Sequence, residues 1–563
     1  MARERDYSNW SKEDLIKRVE ALEKRKKYGL VWDEEYCKEE FEEEAKGKLP
    51  VLTEIKTKEI NTDPNEPTDI LIEGDNYHAL SVLNYTHEKA VDVIYIDPPF
   101  NTGSRSWKYN NDYVDKDDPF RHSKWISFMN KRLRLAKNLL RDTGIIIVAI
   151  DDYEFHSLRL LMDEIFLESN RLGTVAVMHN PRGRSDDKFF ATSHEYMLIY
   201  GRNSSLSYVA NMESTEEQLE VYNKEDDISR YRELPFRRSG SNSRRIDRPN
   251  LFYPIYYNPQ SEELISEKRE GFIEILPIDT SGTERVWRWG KETFSRRVQT
   301  EIVVKESNGL FNVYVKDRIK EGRKSKTIWQ DPKYDASSHG TMLLQEILGR
   351  PMMFDYPKSL YTVLDILAIT SDKDAIILDF FAGSGTTGHA TMKLNKKDHG
   401  KRQFILCTNN ENGICEDVCY PRVKSVITGY KDKNGKPVDG LGGNLKYYRT
   451  SFVPAEPTDK NKELLTKQSV EMLTLRENTF DFVTETNTYK IFNNREKYTG
   501  IIFDQLSIPE FKKAITSFDK PVSVYVFSLG DDSFAEEFED MRDKVKVCSI
   551  PEAILRVYRR VFK

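Results

Sequence analysis

The stretch Val91-Asp92-Val93-Ile94-Tyr95-Ile96-Asp97-Pro98-Pro99-Phe100 decides the fold class of this 563-residue chain. Its first six residues are mostly β-branched or aromatic, a pattern typical of a buried strand in a parallel sheet. Proline lacks a backbone N–H and has a fixed φ, so the two prolines end that strand. Open α/β sheets bind ligands at the carboxyl ends of their strands. The stretch therefore predicts a site at residues 97–100, where a carboxylate, free carbonyl groups and an aromatic ring lie together.

A second strand pattern ends in a glycine-rich turn in residues 375–388, and a helical pattern follows. Glycine lets the backbone approach a ligand at the helix N-terminus. Gly383, Gly385 and Gly388 also satisfy GxGxxG, so a dinucleotide-dependent oxidoreductase is an alternative. That alternative requires an acid at the end of the next strand, where this chain has Thr408-Asn409-Asn410. With Asp379 and Phe381 beside the turn, the pattern favours a ligand with an ammonium and an adenine, namely S-adenosylmethionine.

Together these motifs resemble those of the β-class amino-methyltransferases of DNA, and specifically the modification subunits of type III restriction systems. In that family the catalytic DPP(Y/F) motif comes first, a target-recognition insert follows, and the cofactor motif FxGxG comes last. This chain has the same order. Further blocks are similar to that subfamily, at residues 74–76, 101–103, 244–250, 326–329 and 357–360. The resemblance covers most of residues 10–450.

The resemblance implies an α/β fold, with a Rossmann-like methyltransferase sheet in permuted order, the catalytic half first. It also implies an inserted target-recognition domain and a small C-terminal α/β or α+β domain. We expect an N-terminal helical arm at residues 1–49, the catalytic half at 50–200, the insert at 201–335, the cofactor-binding half at 336–450 and the C-terminal domain at 451–563.

The resemblance implies methyl transfer to the 6-amino group of an adenine that is flipped out of duplex DNA. Such an amine is a poor nucleophile, because its lone pair is delocalised into the ring. The Asp97 carboxylate and the Pro98 carbonyl would accept its two hydrogens and localise that lone pair. Pro99 completes the catalytic motif, and Phe100 would stack on the flipped base. An initial Asp is typical of the family's adenine enzymes, and cytosine-N4 methylation is the alternative.

The resemblance also implies a set of cofactor contacts around the glycine turn. The contacts to the methionine end are Asp379, Phe381, Gly383, Gly385 and Thr386, with Lys358 and Ser359 from a separate block and Asp97 as a minor contact. Asp75 would lie near the adenine end. The ribose contact is expected at Asn410 or Glu411, because the usual acid is missing at the end of that strand.

Residues 201–335 have weak periodicity and interleave arginines with aromatic residues. Arginine binds phosphate and reads guanine edges, whereas aromatic rings stack on extruded bases. The pattern predicts DNA contacts by Arg237, Arg238, Arg244, Arg245 and Arg248, with aromatics such as Phe236, Tyr253, Tyr256, Tyr257 and Trp287 as stacking candidates. A solvated charged surface is the alternative.

Two other patterns bear on the site and on possible partners. Residues 144–150 form another buried-strand pattern that ends in Asp151 and Asp152. This acidic pair either belongs to the catalytic site or caps the following helix. Near the N-terminus, Leu15, Val19 and Leu22 are spaced along one helix face, which suggests a partner-binding arm.

Composition limits the other classes of function. The net charge of −6 argues against an indiscriminate polyanion binder but permits a sequence-specific one, because local patches set a DNA footprint. There is no signal-peptide pattern, and the longest apolar run is too short to span a bilayer. The five cysteines form no CxxC pair. We therefore expect a protein of the reducing cytoplasm, with neither a membrane segment nor a metal site.

The chain contains no GxxxxGK(S/T) motif, so an ATP-driven motor is not visible in it. The resemblance implies double-stranded DNA as a partner, and a homodimer in which one copy reads the DNA while the other methylates it. It also implies a separate restriction subunit that supplies helicase and nuclease activity. A solitary methyltransferase and a non-catalytic recognition subunit that holds the cofactor are alternatives.

Overall fold

The computed structural model of this chain describes residues 11–16, 30, 32, 39, 47–63, 65–109, 112–115, 117–184, 187–214, 216–307, 309–320, 322–351, 354–530, 532 and 534–562. They form two compact units, one of residues 211–325 and the other of the residues on either side. Most of the expected N-terminal arm, including Val19 and Leu22, lies outside the described residues.

The chain before the second unit alternates strands with helices. Its strands are β1 (Lys48–Glu54), β2 (Ile60–Asn61), β3 (Thr68–Glu73), β4 (Val91–Ile96), β5 (Ser104–Tyr109), β6 (Asp112–Asp115), β7 (Leu140–Ile150), β8 (Arg171–Val177) and β9 (Glu195–Gly201). Its helices are α1 (Asn76–Thr86), α2 (Arg121–Leu139) and α3 (Phe155–Met162). The strand predicted at residues 144–150 is the carboxyl-terminal part of β7.

The regular elements of the second unit, residues 211–325, are mainly short strands. These are β10 (Lys224–Glu225), β11 (Arg230–Pro235), β12 (Ile255–Asn258), β13 (Glu263–Ile265), β14 (Ile273–Ile275), β15 (Ile302–Ser307) and β16 (Leu310–Arg318), with helices α4 (Glu216–Glu220) and α5 (Lys291–Glu301). They form sheets of order β10-β11-β16-β15 and β13-β12-β14. At the two ends of the unit, Met212 and Arg323 exchange a pair of 2.8 Å backbone hydrogen bonds.

The chain after the second unit completes the fold. Its strands are β17 (Ile328–Trp329), β18 (Ile376–Asp379), β19 (Gln403–Thr408), β20 (Gly429–Lys431), β21 (Pro437–Asp439), β22 (Asn444–Pro454), β23 (Asp481–Glu485), β24 (Tyr489–Asn493), β25 (Tyr498–Ile502), β26 (Val522–Phe527) and β27 (Val545–Ile550). Its helices are α6 (Leu343–Leu348), α7 (Leu360–Thr370), α8 (Thr386–Asp398), α9 (Tyr420–Thr428), α10 (Asp459–Gln468), α11 (Val470–Glu477), α12 (Ile508–Ile515) and α13 (Glu552–Val561). Of the helices that the structure describes, none has the length and apolar content needed to cross a membrane.

The large sheet joins strands from the two sides of the second unit. Its order is β1-β22-β3-β19-β18-β4-β7-β9-β8-β17, with β2 also paired to β22. The central strands from β22 to β7 are parallel, and β9 is antiparallel to both of its neighbours. The late strand β18 lies next to the early strand β4. This arrangement confirms the predicted α/β sheet and its permuted order.

Alternate residues of the central strands pack on opposite faces of the sheet. In β3, Ile70 and Ile72 contact one hydrophobic cluster, which includes residues of α1 and α2. Leu71 contacts another cluster, which includes residues of α8 and α9. Both faces are therefore covered by helices, as near-continuous apolar runs in parallel strands require.

The region beyond residue 450 has its own sheet, of order β23-β24-β25-β26-β27. It nevertheless shares a hydrophobic cluster with β4 and α1, through residues such as Ile554 and Tyr558 of α13. The hydroxyl group of Tyr558 donates a hydrogen bond to the Pro50 carbonyl of β1. Residues 451–563 thus fold onto the large sheet as part of the same compact unit.

Candidate functional site

Three parallel strands of the large sheet end side by side and bring carboxylates to one edge. β4 pairs with β18 on one side and with β7 on the other. Asp97 follows β4, Asp379 is the last residue of β18, and Asp151 follows β7. The edge where these carboxylates meet is the one at which open α/β sheets bind ligands. The two sequence motifs, far apart in the chain, are neighbours there.

Asp97 is held partly out of solvent. Its Oδ1 atom is buried and lies 3.1 Å from the Lys358 ammonium, while the side chain as a whole retains 26% exposure. Burial raises the pKa of the Asp97 carboxyl to about 6, the nearby Glu195 adds to that rise, and Lys358 opposes it. A carboxylate in this position can accept a hydrogen bond from a ligand while one of its oxygens stays fixed by the lysine.

Lys358 contacts residues of the catalytic motif directly. Its Nζ atom lies 2.6 Å from Glu195 Oε2, and both side chains are buried. The same ammonium lies 4.4 Å from the centroid of the Phe100 ring. Interaction with Asp97 and Glu195 outweighs burial and raises the pKa of Lys358, so the group is charged. The resemblance placed Lys358 at the methionine end of the cofactor, and that contact stays a prediction.

The carbonyl groups of the two prolines differ in their partners. The Pro99 carbonyl accepts a hydrogen bond of 2.6 Å from Trp125 Nε1 of α2. No hydrogen bond from the described residues reaches the Pro98 carbonyl. Trp125 is fully buried, so the tetrapeptide is tied to the core through Pro99.

The residue after the tetrapeptide is fixed by a buried acid. Asn101 adopts a left-handed conformation with φ 56°, and its side-chain amide donates to the carboxylate of Glu154. Glu154 is fully buried and also lies 2.6 Å from His122 Nδ1. These contacts hold the chain in place where it leaves the catalytic motif.

Asp379 organises the glycine turn. Its Oδ1 atom accepts a hydrogen bond of 3.0 Å from the Phe381 backbone N–H, and its Oδ2 atom accepts one of 2.5 Å from the Thr387 hydroxyl. Burial raises the pKa of Asp379 to about 7, and the charge of Asp97 contributes to that rise. The carboxylate therefore fixes the turn from both ends.

Two glycines of the turn adopt conformations that side chains disfavour. Gly383 has φ 50° and Gly385 has φ 78°, both in the left-handed region that glycine occupies at no steric cost. A Cβ atom at Gly385 would also lie 3.2 Å from the Cys419 sulfur. Gly385 immediately precedes α8, so the turn presents backbone N–H groups at a helix N-terminus.

A buried arginine supports the glycine turn from behind. Arg422 of α9 has no exposed surface, and its Nη1 atom donates to the Thr386 and Ser384 hydroxyls at 2.8 and 3.0 Å. Burial lowers its pKa to about 10. The Thr386 hydroxyl, predicted to contact the cofactor, accepts its hydrogen bond from Arg422.

Asp75 and Asn76 follow β3, another parallel strand of the large sheet, and connect it to the same site. Asp75 caps α1 by accepting a 2.8 Å hydrogen bond from the Tyr77 N–H, and the buried Arg132 lies 3.3 Å from its Oδ2. Asn76 donates a 2.9 Å hydrogen bond to the Phe380 carbonyl. Arg132 also pairs with Glu39 at 3.0 Å. This network joins the predicted adenine-end residue to the start of the glycine turn.

The predicted ribose contact already has a partner within the chain. Asn410 donates to Glu416 Oε2 at 3.1 Å and accepts from the Glu416 backbone N–H at 3.0 Å. Ser359 is engaged as well, since it donates to the Lys333 carbonyl at 2.8 Å and caps α7. Both side chains therefore stabilise local structure, and their cofactor contacts stay predictions.

The charge balance of the site favours a cationic ligand. Asp97, Asp151, Glu195 and Asp379 converge at this edge, and the ammonium of Lys358 contacts two of them. Burial raises the pKa of Asp151 to about 7, as it raises that of Asp379. A positively charged ligand would relieve the cost of holding these acids ionised. The positively charged sulfonium and ammonium groups of S-adenosylmethionine fit this group of carboxylates.

The arginines predicted to bind DNA lie in the second unit, in two settings. Arg244, Arg245 and Arg248 belong to an exposed segment, where Arg245 pairs with Glu284 at 3.1 Å. Arg237 and Arg238 are partly buried, and the guanidinium group of Arg237 donates to the Ile278 carbonyl. DNA contacts by these five residues stay predictions.

The five aromatic residues of the second unit that were named as stacking candidates are buried, so their interpretation as base-stacking groups is wrong. Phe236 and Trp287 stack with centroids 5.1 Å apart and are at most 2% exposed. Tyr253 and Tyr257 belong to the same cluster, and Tyr256 is also buried. A unit of 115 residues needs its own core, and large aromatic side chains supply the buried area.

Asp151 and Asp152 do not cap the next helix. Glu154 is the N-cap residue of α3, which begins at Phe155. Asp151 instead accepts a 3.0 Å hydrogen bond from the Tyr153 N–H in the preceding turn, and it is buried. The strand is followed by a short turn before the helix, and this turn carries Asp151 into the acidic edge.

Sequence reasoning missed Glu195, Arg132 and Arg422, all of which are buried. Arg132 lies on the apolar face of α2, at helical spacing from Trp125 and Met129. Glu195 is the first residue of an otherwise apolar strand. A lone charge inside an apolar pattern is the signal that could have identified both, because buried charges require partners. Within the described residues, no cluster of His, Cys, Asp or Glu is arranged to hold a metal.

Comparison with known proteins gives consistent matches. The family model described as DNA methylase, for N6 and N4 methyltransferases, matches residues 91–418. The type II methyltransferase M.KpnI of Klebsiella pneumoniae is 39% identical over 67% of this chain and 87% of its own length. The EcoPI Mod subunit of Escherichia phage P1, a type III restriction-modification enzyme, is 31% identical over 64% of this chain, which spans 60% of that subunit. The solved M1.HpyAVI–SAM complex is 13% identical, covering 63% of this chain and 97% of that one, with a TM-score of 0.28.

Proposed function

This chain belongs to the DNA methylase family, and from that premise we propose that it transfers a methyl group from S-adenosylmethionine to the 6-amino group of adenine in duplex DNA. The observation that carries the proposal is the meeting of residues 97–100 with the glycine turn at one edge of the sheet. One motif supplies acceptors for an amine, and the other supplies backbone that a small ligand can approach.

Asp97 and Pro98 would act on the target amine. The carboxylate of Asp97 accepts one amine hydrogen and the Pro98 carbonyl accepts the other, which localises the nitrogen lone pair. Both acceptors are preorganised, since Lys358 fixes Asp97 and Trp125 fixes Pro99 beside Pro98. Preorganised acceptors need no rearrangement at the moment of reaction.

Phe100 would hold the flipped base. Extruding a base from a duplex costs a few kcal/mol, and stacking on an aromatic ring returns roughly 1–3 kcal/mol. Lys358 lies over the Phe100 ring, and the ring is only partly buried. Phenylalanine keeps the ring that relatives with tyrosine use, without the hydroxyl group.

Asp379, Phe381, Gly383, Gly385 and Thr386 would hold the methionine part of the cofactor, and Asp75 would lie near its adenine. S-adenosylmethionine, when bound, supplies a methyl group that is activated by a positively charged sulfur. The acidic edge suits that charge, and the left-handed φ of the two glycines is one that glycine adopts at no steric cost. Lys358, Ser359 and Asn410 are further candidates, and each also has a partner within the chain.

Adenine is the proposed base because the catalytic motif begins with Asp97, as in the family's adenine enzymes. Cytosine-N4 methylation is the second candidate, since the family model covers both reactions. Two kinds of duplex distinguish these reactions. In one, only adenine 6-amino groups can accept a methyl group, and in the other only cytosine 4-amino groups can. Methyl transfer confined to cytosine would contradict the adenine proposal.

Residues 201–335 are the proposed target-recognition domain, with residues 211–325 as its compact unit. The exposed arginines Arg244, Arg245 and Arg248 support this role, because guanidinium groups bind phosphates and guanine edges. Exchange of this segment for that of a relative tests the assignment. If the hybrid kept the original target sequence, recognition would lie elsewhere in the chain.

We further propose that the protein is the modification subunit of a type III restriction-modification system. The similarity to a Mod subunit supports this role, whereas the similarity to M.KpnI, a type II methyltransferase, supports a methyltransferase that acts without such a complex. A homodimer would let one copy read the DNA while the other methylates. Mass measurement in solution, with and without a co-expressed helicase-nuclease subunit, distinguishes these arrangements.

Methyl transfer in a host that lacks other methyltransferases tests the central proposal. Genomic DNA from a strain that expresses the protein would be read by methylation-sensitive single-molecule sequencing. We expect 6-methyladenine at one recurrent sequence, with no such signal from the Asp97→Ala variant. An unmodified genome, together with no transfer of labelled methyl groups to purified DNA, would refute the proposed activity.

A further inference from the structure

A three-residue charge cluster lies beneath the catalytic motif and joins three separate segments of the chain. Lys358 Nζ lies 2.6 Å from Glu195 Oε2 and 3.1 Å from Asp97 Oδ1. Lys358 and Glu195 are 9% and 3% exposed. Glu195 begins β9, and Lys358 lies two residues before α7, so the cluster depends on the fold rather than on local sequence.

Stability alone does not account for such a cluster. Taking charges out of water is costly, and a buried ion pair is often no more stable than an apolar replacement. Two carboxylates and one ammonium also leave a net negative charge in the interior. A function for this charge is the simpler explanation, because perturbed ionisable groups cluster at functional sites.

Asp97 must be ionised to accept a hydrogen from an amine without donating one. A buried carboxyl group tends to hold its proton, which would turn an acceptor into a donor and disorder the hydrogen bonds to the base. An ammonium at 3.1 Å favours the ionised form and fixes the buried Oδ1 oxygen of the carboxylate. Lys358 has this position.

We propose that Lys358 is a positioning residue that keeps the Asp97 carboxylate ionised and oriented for the target amine, and that Glu195 anchors Lys358 in place. The proposal rests on the proposed methyl transfer to an amine. It reassigns Lys358 from the cofactor to the catalytic motif, and it gives a role to Glu195, which sequence reasoning did not identify.

Other charged groups surround the cluster from each neighbouring strand. β18 contributes Asp379, and Asp151 follows β7, so both add negative charge at this edge. His179, after β8, has its Nδ1 atom 3.9 Å from Glu195 Oε2, and burial lowers its pKa. Loss of the Lys358 ammonium would therefore leave Asp97 beside like charges.

The proposal makes opposite predictions for the two partners of the cluster. In the Lys358→Met variant, the pKa of Asp97 rises because the opposing charge is gone. In the Glu195→Gln variant, the pKa of Asp97 falls, since a like charge is removed and Lys358 pairs with Asp97 alone. Misfolding or general damage to the site would not shift the pKa of Asp97 in opposite directions in the two variants.

Single-turnover methyl transfer measured over a series of pH values tests these opposite shifts in the pKa of Asp97. We expect the acid limb of the rate profile to move to higher pH in Lys358→Met. If its midpoint rises by about one pH unit, the rate on the acid side of the profile falls by about tenfold. The acid limb should move to lower pH in Glu195→Gln. Lys358→Arg should retain most of the rate, and the exposed Lys424→Met should match the wild type.

Calorimetry with S-adenosylmethionine separates this role from a cofactor contact. We expect Lys358→Met to bind the cofactor as the wild type does. Loss of cofactor binding with an unchanged pH profile would overturn the proposal in favour of the cofactor role. The proposal would also be overturned if the acid limb of the rate profile moved in the same direction in Lys358→Met and Glu195→Gln, or moved in neither.

A readout that needs no turnover separates this proposal from the proposed function. Infrared difference spectra of protein with isotope-labelled aspartate, with the spectrum of Asp97→Asn subtracted, report the ionisation of Asp97 directly. The opposite shifts should appear there even if no DNA is methylated. Opposite shifts without methyl transfer would refute the activity alone, whereas methyl transfer without opposite shifts would refute the role of Lys358 alone.

Discussion

The carboxyl edge of the large sheet and the 211–325 unit are built from similar residue types, used in opposite ways. At the edge, charges such as Asp379 and Lys358 are buried, while the Phe100 ring is partly exposed. In the 211–325 unit, aromatic rings such as Trp287 are buried, and arginines such as Arg244 are exposed. Composition is a poor guide to function in both regions. The location of the buried charge identifies the chemical site, because burying a charge is costly unless it is paired.

The largest expected effect lies at the edge. Asp97→Ala should reduce methyl transfer by about 10³-fold or more, because an acceptor preorganised for the amine is lost. Cofactor binding should remain, as measured by calorimetry.

Gly385→Val is the matched variant on the cofactor side of the edge. It should abolish cofactor binding, because a left-handed φ is forced on a β-branched residue and its Cβ atom would press on the Cys419 sulfur. If Asp97→Ala lost the cofactor as completely as this variant, the proposed division between base and cofactor contacts would be wrong.

The second-largest effect is expected from a substitution in the core of the 211–325 unit. Trp287→Ala removes a large buried ring that stacks on Phe236 and should destabilise that unit by about 3 kcal/mol or more. Target-dependent DNA binding should fall accordingly, while cofactor affinity stays at the wild-type value. Proteolysis and calorimetry on the same sample measure both. Unchanged stability would contradict the assignment of Trp287 to the core.

A smaller effect is expected from the exposed arginines. Arg244→Ala and Arg248→Ala should each weaken DNA binding, with a base contact costing about 1–3 kcal/mol at one position of the target. A phosphate contact would instead weaken all sequences alike and reduce the salt dependence. Binding titrations on single-substitution target libraries at two salt concentrations separate the two. If both variants bound DNA as the wild type does, the unit would not contact DNA through this segment.

The smallest effect concerns stability at the edge. The folded pKa of Asp379 is raised from 3.8 to about 7, so the folded state keeps a proton that the unfolded chain loses. Stability therefore falls as pH rises between these values. Asp379→Asn keeps one oxygen to accept from the Phe381 N–H, and its NH2 group replaces the oxygen that accepts from the Thr387 hydroxyl, which would then act as the acceptor. It should raise stability by about 1 kcal/mol or more above pH 7, with no gain below the unfolded pKa.

Thermal melts of Asp379→Asn over a range of pH values, with cofactor affinity measured in parallel, test whether the gain in stability appears only at higher pH. Cofactor affinity should fall, since the carboxylate contributes negative charge to the site. A stabilisation that is independent of pH would show that the Asp379 charge is not its cause.

The two regions differ in how far the sequence could predict them. Asp97 and Gly385 lie in short motifs whose backbone requirements appear in the sequence, because proline and glycine have few conformational equivalents. The order of β4 and β18 in the sheet followed from the family resemblance. Glu195 and Arg132 each interrupt an apolar pattern, which marks them as buried charges, but their partners are distant in sequence and could not be named. Arg422 carries no such signal.

The 211–325 unit was harder to interpret for a related reason. A solvent-exposed aromatic that stacks on a base and a buried aromatic that fills a core have the same letter in a sequence. Only packing separates them, as Phe236 and Trp287 demonstrate. The segment's character as a distinct region could be anticipated, whereas the role of its rings could not.

The paired hydrogen bonds between Met212 and Arg323 hold the two ends of the 211–325 unit side by side. A gene segment that encodes such a unit can be exchanged by recombination without lengthening or shortening the chain on either side. If this unit recognises the target sequence, as proposed, such an exchange takes the reaction chemistry from one parent and the recognised sequence from the other. Lineages that carry such a gene would then acquire a new methylation pattern in one genetic event, rather than through a series of substitutions that each risk the catalytic edge.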